Sequence, residues 1–341
     1  MSTTSALAAV RLGRNNLFDL VRLYAAVQVL LVHGREHLGF SWPAWLDPWL
    51  ALPGVPLFFS ISGFLVGLSW LRLEHHWRVY VWHRALRIFP ALWFCLLCSV
   101  LLLIAVGEGP FLLSVQGGLW LLAQLTVVQV FNPAALRDVG VGVINGSLWT
   151  IPVELQFYAV LPLLLLLAQA WRRRLPLWVL PSVIGVLSYG CWRALPTLAL
   201  QAPFLAKLSQ LTLLPHLFQF LLGLLALPLL VQLGRRRTIA VLLASSALAL
   251  WLPPLQPLLW AALPIGIGLI PAPPLHHPDL SYGLYLFHMP LANALLCVGK
   301  SGAAALPLYL VGVVLLACLS WYAVERPALR FKPRAVLQEV R

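Results

Sequence analysis

Apolar runs of about twenty residues, parted by short polar or basic stretches, recur along most of this chain. A helix needs about 17 to 25 such residues to cross the hydrocarbon of a bilayer. That ruler places helices at 18–38, 52–71, 86–106, 147–170, 176–193, 212–231, 238–252, 255–270, 280–299 and 305–325. The pattern predicts an all-α integral membrane protein with about ten transmembrane helices. The stretches 238–252 and 255–270 are short and split by "LPPLQP", which fits a broken helix as well as two spans. The first run carries Asp19 and Arg22 and lacks a small-residue cleavage site, so it reads as a retained span rather than a removed signal peptide. With no internal repeat and no long linker, residues 1–341 are expected to form a single transmembrane domain. Its core is expected at 15–330, followed by a short basic tail, 326–341.

An eleventh apolar stretch, "GGLWLLAQLTVVQVFNP" (117–133), decides the topology. If it crossed, "WRRRLP" (171–176) would face away from the other basic loops; if it does not, every basic cluster falls on one side. Of the 23 Lys and Arg, the ten-span reading puts 17 on that side and 5 on the other, with Arg22 inside a span. Basic residues mark cytoplasmic loops. Both termini are therefore expected in the cytoplasm, with 117–133 a re-entrant or interfacial segment on the outer side.

Composition agrees with this class: 61% of residues are apolar and 10% charged, against about 25% charged in soluble domains. The net charge of +13 does not point to nucleic acid, because the basic residues sit in clusters between apolar spans. The five cysteines, Cys95, Cys98, Cys191, Cys297 and Cys318, all fall in apolar stretches and read as small buried hydrophobes. No metal site is expected: Cys95 and Cys98 lack a second pair at zinc spacing. The loop histidines His75, His76, His276 and His277 lack a completing ligand.

Within this apolar background a few ionisable side chains stand out. Arg22 and His33 bracket "VRLYAAVQVLLVH" (21–33), and a helix would stack them on one stripe about 16 Å apart along its axis. Arg22 could equally pair with Asp19, three residues away. Of the ten carboxylates, only Glu154 lies well inside a predicted span, roughly 9 Å from its outer end, and His33 lies at a similar depth. Ionisable groups at such depth usually line a functional cavity; a structural hydrogen-bonded pair is the alternative. Arg84 and Arg87 in "HRALRIFP" stand at the cytoplasmic mouth of the third span, as topology anchors or as an anion clamp. His288 in "SYGLYLFHMP" falls mid-span above Ser281, Tyr282 and Tyr285. "NGS" (145–147) matches a glycosylation sequon but reads better as a helix start capped by Ser147.

Five stretches together resemble the membrane-bound acyltransferase type 3 family, whose members O-acylate glycans, lipids and antibiotics. "LFDLVRLYAAVQVLLVH" resembles the family's opening helix with its Arg and His, here Arg22 and His33. "GVPLFFSISGFL" (54–65) is similar to its second-helix signature, and "RALRIFPAL" (84–92) to its Arg-x-x-Arg motif. "GSLWTIPVELQFY" (146–158) resembles the helix that carries the acid, here Glu154. "SYGLYLFHMPL" (281–291), with the closing "ERP" (325–327), completes the series. The resemblance implies an integral-membrane O-acyltransferase with acetyl-CoA or another acyl-CoA as donor. Arg84 and Arg87 would lie near the donor's phosphates, and Tyr282, Tyr285 and His288 along its path. His33 would act as general base or as acyl-carrying nucleophile, Glu154 would orient it or stabilise its cation, and Arg22 would guide the donor or hold the oxyanion.

The expected setting is a bacterial cytoplasmic (inner) membrane, and the expected acceptor a glycan or lipid-linked saccharide. Some family members carry a fused extracytoplasmic domain that completes the transfer; this sequence shows none, so direct acylation or a separate extracytoplasmic partner is expected. Two rivals remain at this stage. A transporter or flippase would use the buried Arg, His and Glu as a pathway and would need no coenzyme A. A lipid-linked-sugar glycosyltransferase would need paired acids, which "REHLGFSWPAWLDP" (35–48), with Glu36 and Asp47 eleven residues apart, does not supply.

Overall fold

The computed structural model describes residues 16–73, 76–171, 174–273 and 278–333. His75, Arg172, Arg173, His276, His277 and residues 334–341 of the tail lie outside the described residues. Every regular element among those described is helical. The longer ones are α1 (Phe18–Leu38), α2 (Gly54–Arg72), α3 (Trp77–Ala105), α4 (Val115–Leu125), α5 (Thr150–Ala170), α6 (Val179–Gln201), α7 (Leu217–Ala249), α8 (Gln256–Gly268), α9 (Ser281–Cys297) and α10 (Ala305–Ser320). By length and composition, six helical stretches among the described residues can cross a membrane, where the apolar runs alone predict about ten spans. The difference arises where helices are short or polar. α8 has 13 residues and α9 has 17, and the two predicted spans around residue 234 form one 33-residue stretch, α7. Gly234 breaks α7 from within at φ 75°, a conformation that glycine adopts without a Cβ penalty.

The helices divide into two compact units. The first comprises the described parts of 1–22, 54–80 and 153–276. Its centre is the contact of α2 with α7, where two glycines let backbones touch. A Cβ on Gly63 would stand 1.9 Å from the Phe220 carbonyl oxygen, and one on Gly223 2.0 Å from that of Ser60. Small residues at such crossings let dispersion hold helices together where lipid offers no hydrophobic drive. Phe220 stacks on Phe59 at 4.5 Å and on Phe157 at 4.2 Å, and the Ser60 hydroxyl donates to the Ala261 carbonyl of α8. Gly63→Ala is therefore expected to force α2 and α7 apart. The cost should be about 1 to 3 kcal/mol, seen as a lowered thermal midpoint in detergent. Gly118→Ala in α4, where a Cβ meets nothing within 4 Å, should leave the midpoint unchanged or raise it.

The second unit comprises 23–53, 81–152 and the described part of 277–341. α9 packs on α10 through Gly283, whose added Cβ would lie 2.8 Å from Ala317 Cα. The Tyr309 hydroxyl of α10 donates to the Leu30 carbonyl of α1 at 3.0 Å. Residues 44–50 do not simply extend beyond α1 but fold back along it. The Tyr24 hydroxyl donates to the Trp49 carbonyl, and Gln28 Nε2 to the Leu50 carbonyl at 2.9 Å. α4 spans 11 residues, about 16 Å, too short to cross about 30 Å of hydrocarbon. Trp93 of α3 ties down its end through the Leu125 carbonyl, 3.1 Å away. Buried Leu103, Trp120, Leu136 and Ile144 pack the following loop against α3.

Two local expectations are corrected here. The turn Gly146–Trp149 starts without a side-chain cap: the Ser147 hydroxyl donates to Asn145 Oδ1 at 2.7 Å rather than accepting from a backbone amide ahead of it. Cys95 is buried as expected and donates to the Leu286 carbonyl at 3.3 Å, but Cys297, at the end of α9, is exposed.

Candidate functional site

α9 and the residues just before it organise the second unit's polar groups. Its apolar positions bury the helix, and its few polar side chains recur at three-residue steps: Asp279, Tyr282, Tyr285 and His288. Each meets a different neighbour. Tyr282 donates to the Ile88 carbonyl of α3 at 3.1 Å. The Tyr285 hydroxyl lies 2.7 Å from Thr150 Oγ1 and donates to the Ser147 carbonyl at 2.8 Å. His288 Nε2 lies 2.9 Å from His33 Nδ1 of α1. From Tyr282 to His288 the helix rises six residues, about 9 Å.

The two imidazoles form the upper end of this ladder. Their rings stack at 5.1 Å, and His37, one turn further along α1, lies 5.9 Å from His33. His288 is 0% exposed, and its Nδ1 lies 2.6 Å from its own helix's Tyr285 carbonyl. His33 is only partly buried and is the more accessible member of the pair.

At the lower end, Arg87 Nη2 donates to Asp279 Oδ2 at 2.7 Å, and the Ser281 hydroxyl donates to the other oxygen, Oδ1, at 2.6 Å. The Arg87 guanidinium also lies 5.8 Å from the Tyr282 ring centroid and feels the charge of Glu325. Glu325 sits in a π-helical turn, Trp321–Glu325, is 3% exposed, and accepts from the Ser320 hydroxyl at 2.8 Å. Arg84, one turn before Arg87 on α3, is half-buried. The sequence alone points to Glu154 as the one carboxylate deep in a span; Asp279 and Glu325 are drawn in as well, because Arg87 and Ser320 compensate them.

In the first unit, Glu154 Oε1 accepts from the Ser62 hydroxyl of α2 at 3.0 Å and from the Tyr158 hydroxyl one turn along α5 at 2.5 Å. Arg22 Nη1 pairs with Asp19 Oδ1 at 3.1 Å.

Several polar residues that the sequence reading passed over support the ladder. Asn145 Nδ2 donates to the Leu286 carbonyl of α9 at 2.8 Å. Asn293 donates to the Val143 and Ile144 carbonyls at 2.9 and 3.0 Å and accepts from the Val141 amide at 2.8 Å. A polar side chain inside an apolar run was the available signal, since such groups rarely persist at depth without a partner.

A family model described as an acyltransferase domain matches residues 15–325. "Nodulation protein 10" of Rhizobium leguminosarum bv. viciae is 32% identical over 96% of this chain and 97% of its own. The "putative membrane-bound transacylase BcsY" of Komagataeibacter xylinus is 30% identical over 83% of this chain and 77% of its own. An "O-acetyl transferase" of Shigella phage Sf6 is 32% identical over 43% of this chain and 45% of its own. No solved structure matches.

Proposed function

The chain belongs to the membrane-bound acyltransferase type 3 family and is an acyltransferase, and from that premise we propose its donor, acceptor and reacting residue. It moves an acyl group, acetyl first, from cytoplasmic acyl-CoA to a hydroxyl of a surface glycan or lipid-linked saccharide. The observation that carries this reading is that Asp279, just before α9, holds Arg87, while His288, nine residues on within α9 and about 9 Å beyond Tyr282, holds His33. A phosphate-rich donor bound at Arg84 and Arg87, with Tyr282 and Tyr285 beside its flexible arm, then has its thioester within reach of His33. Guanidinium suits phosphate because its planar N–H groups match the oxygens in pairs.

His33 takes the acceptor hydroxyl's proton while that oxygen bonds to the thioester carbonyl carbon; the C–S bond breaks, and the coenzyme A thiolate leaves with the proton. For Arg22 and Glu154, both in the first unit, we carry over the roles that the family resemblance implies. The glycan acceptor rests on the family resemblance, and the printed names of two relatives, an O-acetyl transferase and a transacylase, support acyl transfer. Family membership sets aside the transporter and glycosyltransferase alternatives. The test is mass spectrometry of the host's surface glycans and lipids with and without this protein: one acyl mass should disappear with it. An unchanged acyl profile would overturn the reading.

We further propose both termini in the cytoplasm of a bacterial inner membrane, with 117–133 not crossing. The shortness of α4 supports this. Cysteines introduced at Arg137 and Arg173 should then label from opposite sides of intact cells; labelling from the same side would overturn the topology.

A further inference from the structure

We infer that His288 is a positioning residue that sets the tautomer of His33, so that His33 presents Nε2 with its lone pair free. The inference rests on the reading that His33 reacts in the proposed transfer. The order of protons follows from a single fixed acceptor. The Tyr285 carbonyl can only accept, and His288 Nδ1 lies 2.6 Å from it, so His288 Nδ1 carries a proton. A neutral imidazole has one N–H, so His288 Nε2 is bare. That bare nitrogen lies 2.9 Å from His33 Nδ1, and the short contact requires His33 Nδ1 to donate. In the neutral ring, His33 Nε2 is thereby left unprotonated, on the partly exposed member of the pair.

The opposite order would have His288 Nε2–H donate to a bare His33 Nδ1. Because Nδ1 still faces the carbonyl, His288 would then be an imidazolium. That cation would be 0% exposed, with its ring facing the neutral Tyr285 and Leu284 carbonyls and a neutral imidazole, and no carboxylate among the described residues bonded to it. An uncompensated buried charge is the costlier state by far. The other titratable groups on the His33 side are His37, 5.9 Å away ring to ring, and Glu36; neither hydrogen-bonds into the pair.

The turn of α9 that carries His288 is clamped from outside. Asn145 bonds the Leu286 carbonyl at 2.8 Å, and the Tyr285 hydroxyl bonds the Ser147 carbonyl at 2.8 Å, so the acceptor is delivered to His33 at a fixed place. His288 touches no reacting atom. It keeps the His33 Nε2 lone pair available, whether that nitrogen removes the hydroxyl proton or carries the acyl group. The Nδ1–H···Nε2 bond also supports the positive charge that His33 acquires in the step.

The first test is nitrogen NMR of full-length, ¹⁵N-histidine-labelled protein in lipid nanodiscs. His33 should show Nδ1 protonated and Nε2 bare; a proton on His33 Nε2 in the wild-type protein at neutral pH would overturn the inference. The second uses labelled acetyl-CoA as donor and host membranes as acceptor source. A wrong tautomer forfeits part of the about 10² to 10⁴ that a general base supplies. His288→Asn, too short to reach the Nε2 position, should lower the apparent kcat at least about tenfold with KM for acetyl-CoA unchanged. His288→Gln, whose amide oxygen can stand where Nε2 stood, should recover most of that loss. Equal rates for wild type, Asn and Gln would overturn the positioning role and leave His33 as the reacting residue intact. If His33→Gln itself keeps full turnover, the proposed function fails instead, and the NMR result still decides the tautomer.

Discussion

His33→Gln is expected to reduce acyl transfer by about 10² to 10⁴, the range that a positioned general base contributes. The amide keeps much of the size and hydrogen bonding of the imidazole but takes no proton at neutral pH. Its amide stands nearer the place of the ring's Nε2 than of Nδ1, so the 2.9 Å bond to His288 Nε2 is weakened while the other contacts of the second unit remain and its fold should survive. Retained acetyl-CoA binding by the variant, measured by calorimetry, separates lost chemistry from lost structure. Near-normal turnover in His33→Gln would make the histidine structural. Glu154→Gln should cost less, because a neutral amide oxygen still accepts from Ser62 and Tyr158.

Arg87→Ala is expected to weaken acetyl-CoA binding by about 1.5 to 3 kcal/mol, the usual worth of hydrogen bonds to charged groups. That is roughly 10- to 150-fold in Kd. The ion pair with Asp279 complicates this variant, since removing one partner strands a carboxylate that is only 19% exposed. Asp279→Asn separates the two effects: it keeps the guanidinium and a neutral acceptor for Ser281 while deleting the pair. Donor affinity should hold in Asp279→Asn and fall in Arg87→Ala. Arg87→Lys should recover only part of the loss, because a point charge cannot reproduce a planar fork. Equal losses in Arg87→Ala and Asp279→Asn would show that the pair is structural and that Arg87 is no donor ligand.

The membrane class and the helix positions were legible in the sequence, because lipid imposes a length rule: an apolar run of about twenty residues leaves few other structures open. α1, α2 and α5 accordingly fall within a few residues of the stretches read from hydropathy. The ionisable candidates were legible for a related reason, since charge inside such a run needs a cause. Which candidates meet was not legible. His33 and His288 are 255 residues apart, and Arg87 and Asp279 192.

Helical periodicity says which residues share a face of one helix, but a helix that is apolar all round does not say which neighbour that face meets. Hydropathy does not reveal that His33 bonds to His288, or that Glu154 accepts from Ser62 and Tyr158. The sequence reading likewise took Arg87 for an anchor or a clamp without its Asp279 partner, and residues 44–50 for a plain outer loop. By itself the sequence determined the class, the helices and the residues worth testing, because these follow from the solvent. Only the tertiary structure decided which side chains become partners and where α7 breaks at Gly234, because partners depend on atoms brought to within about 3 Å.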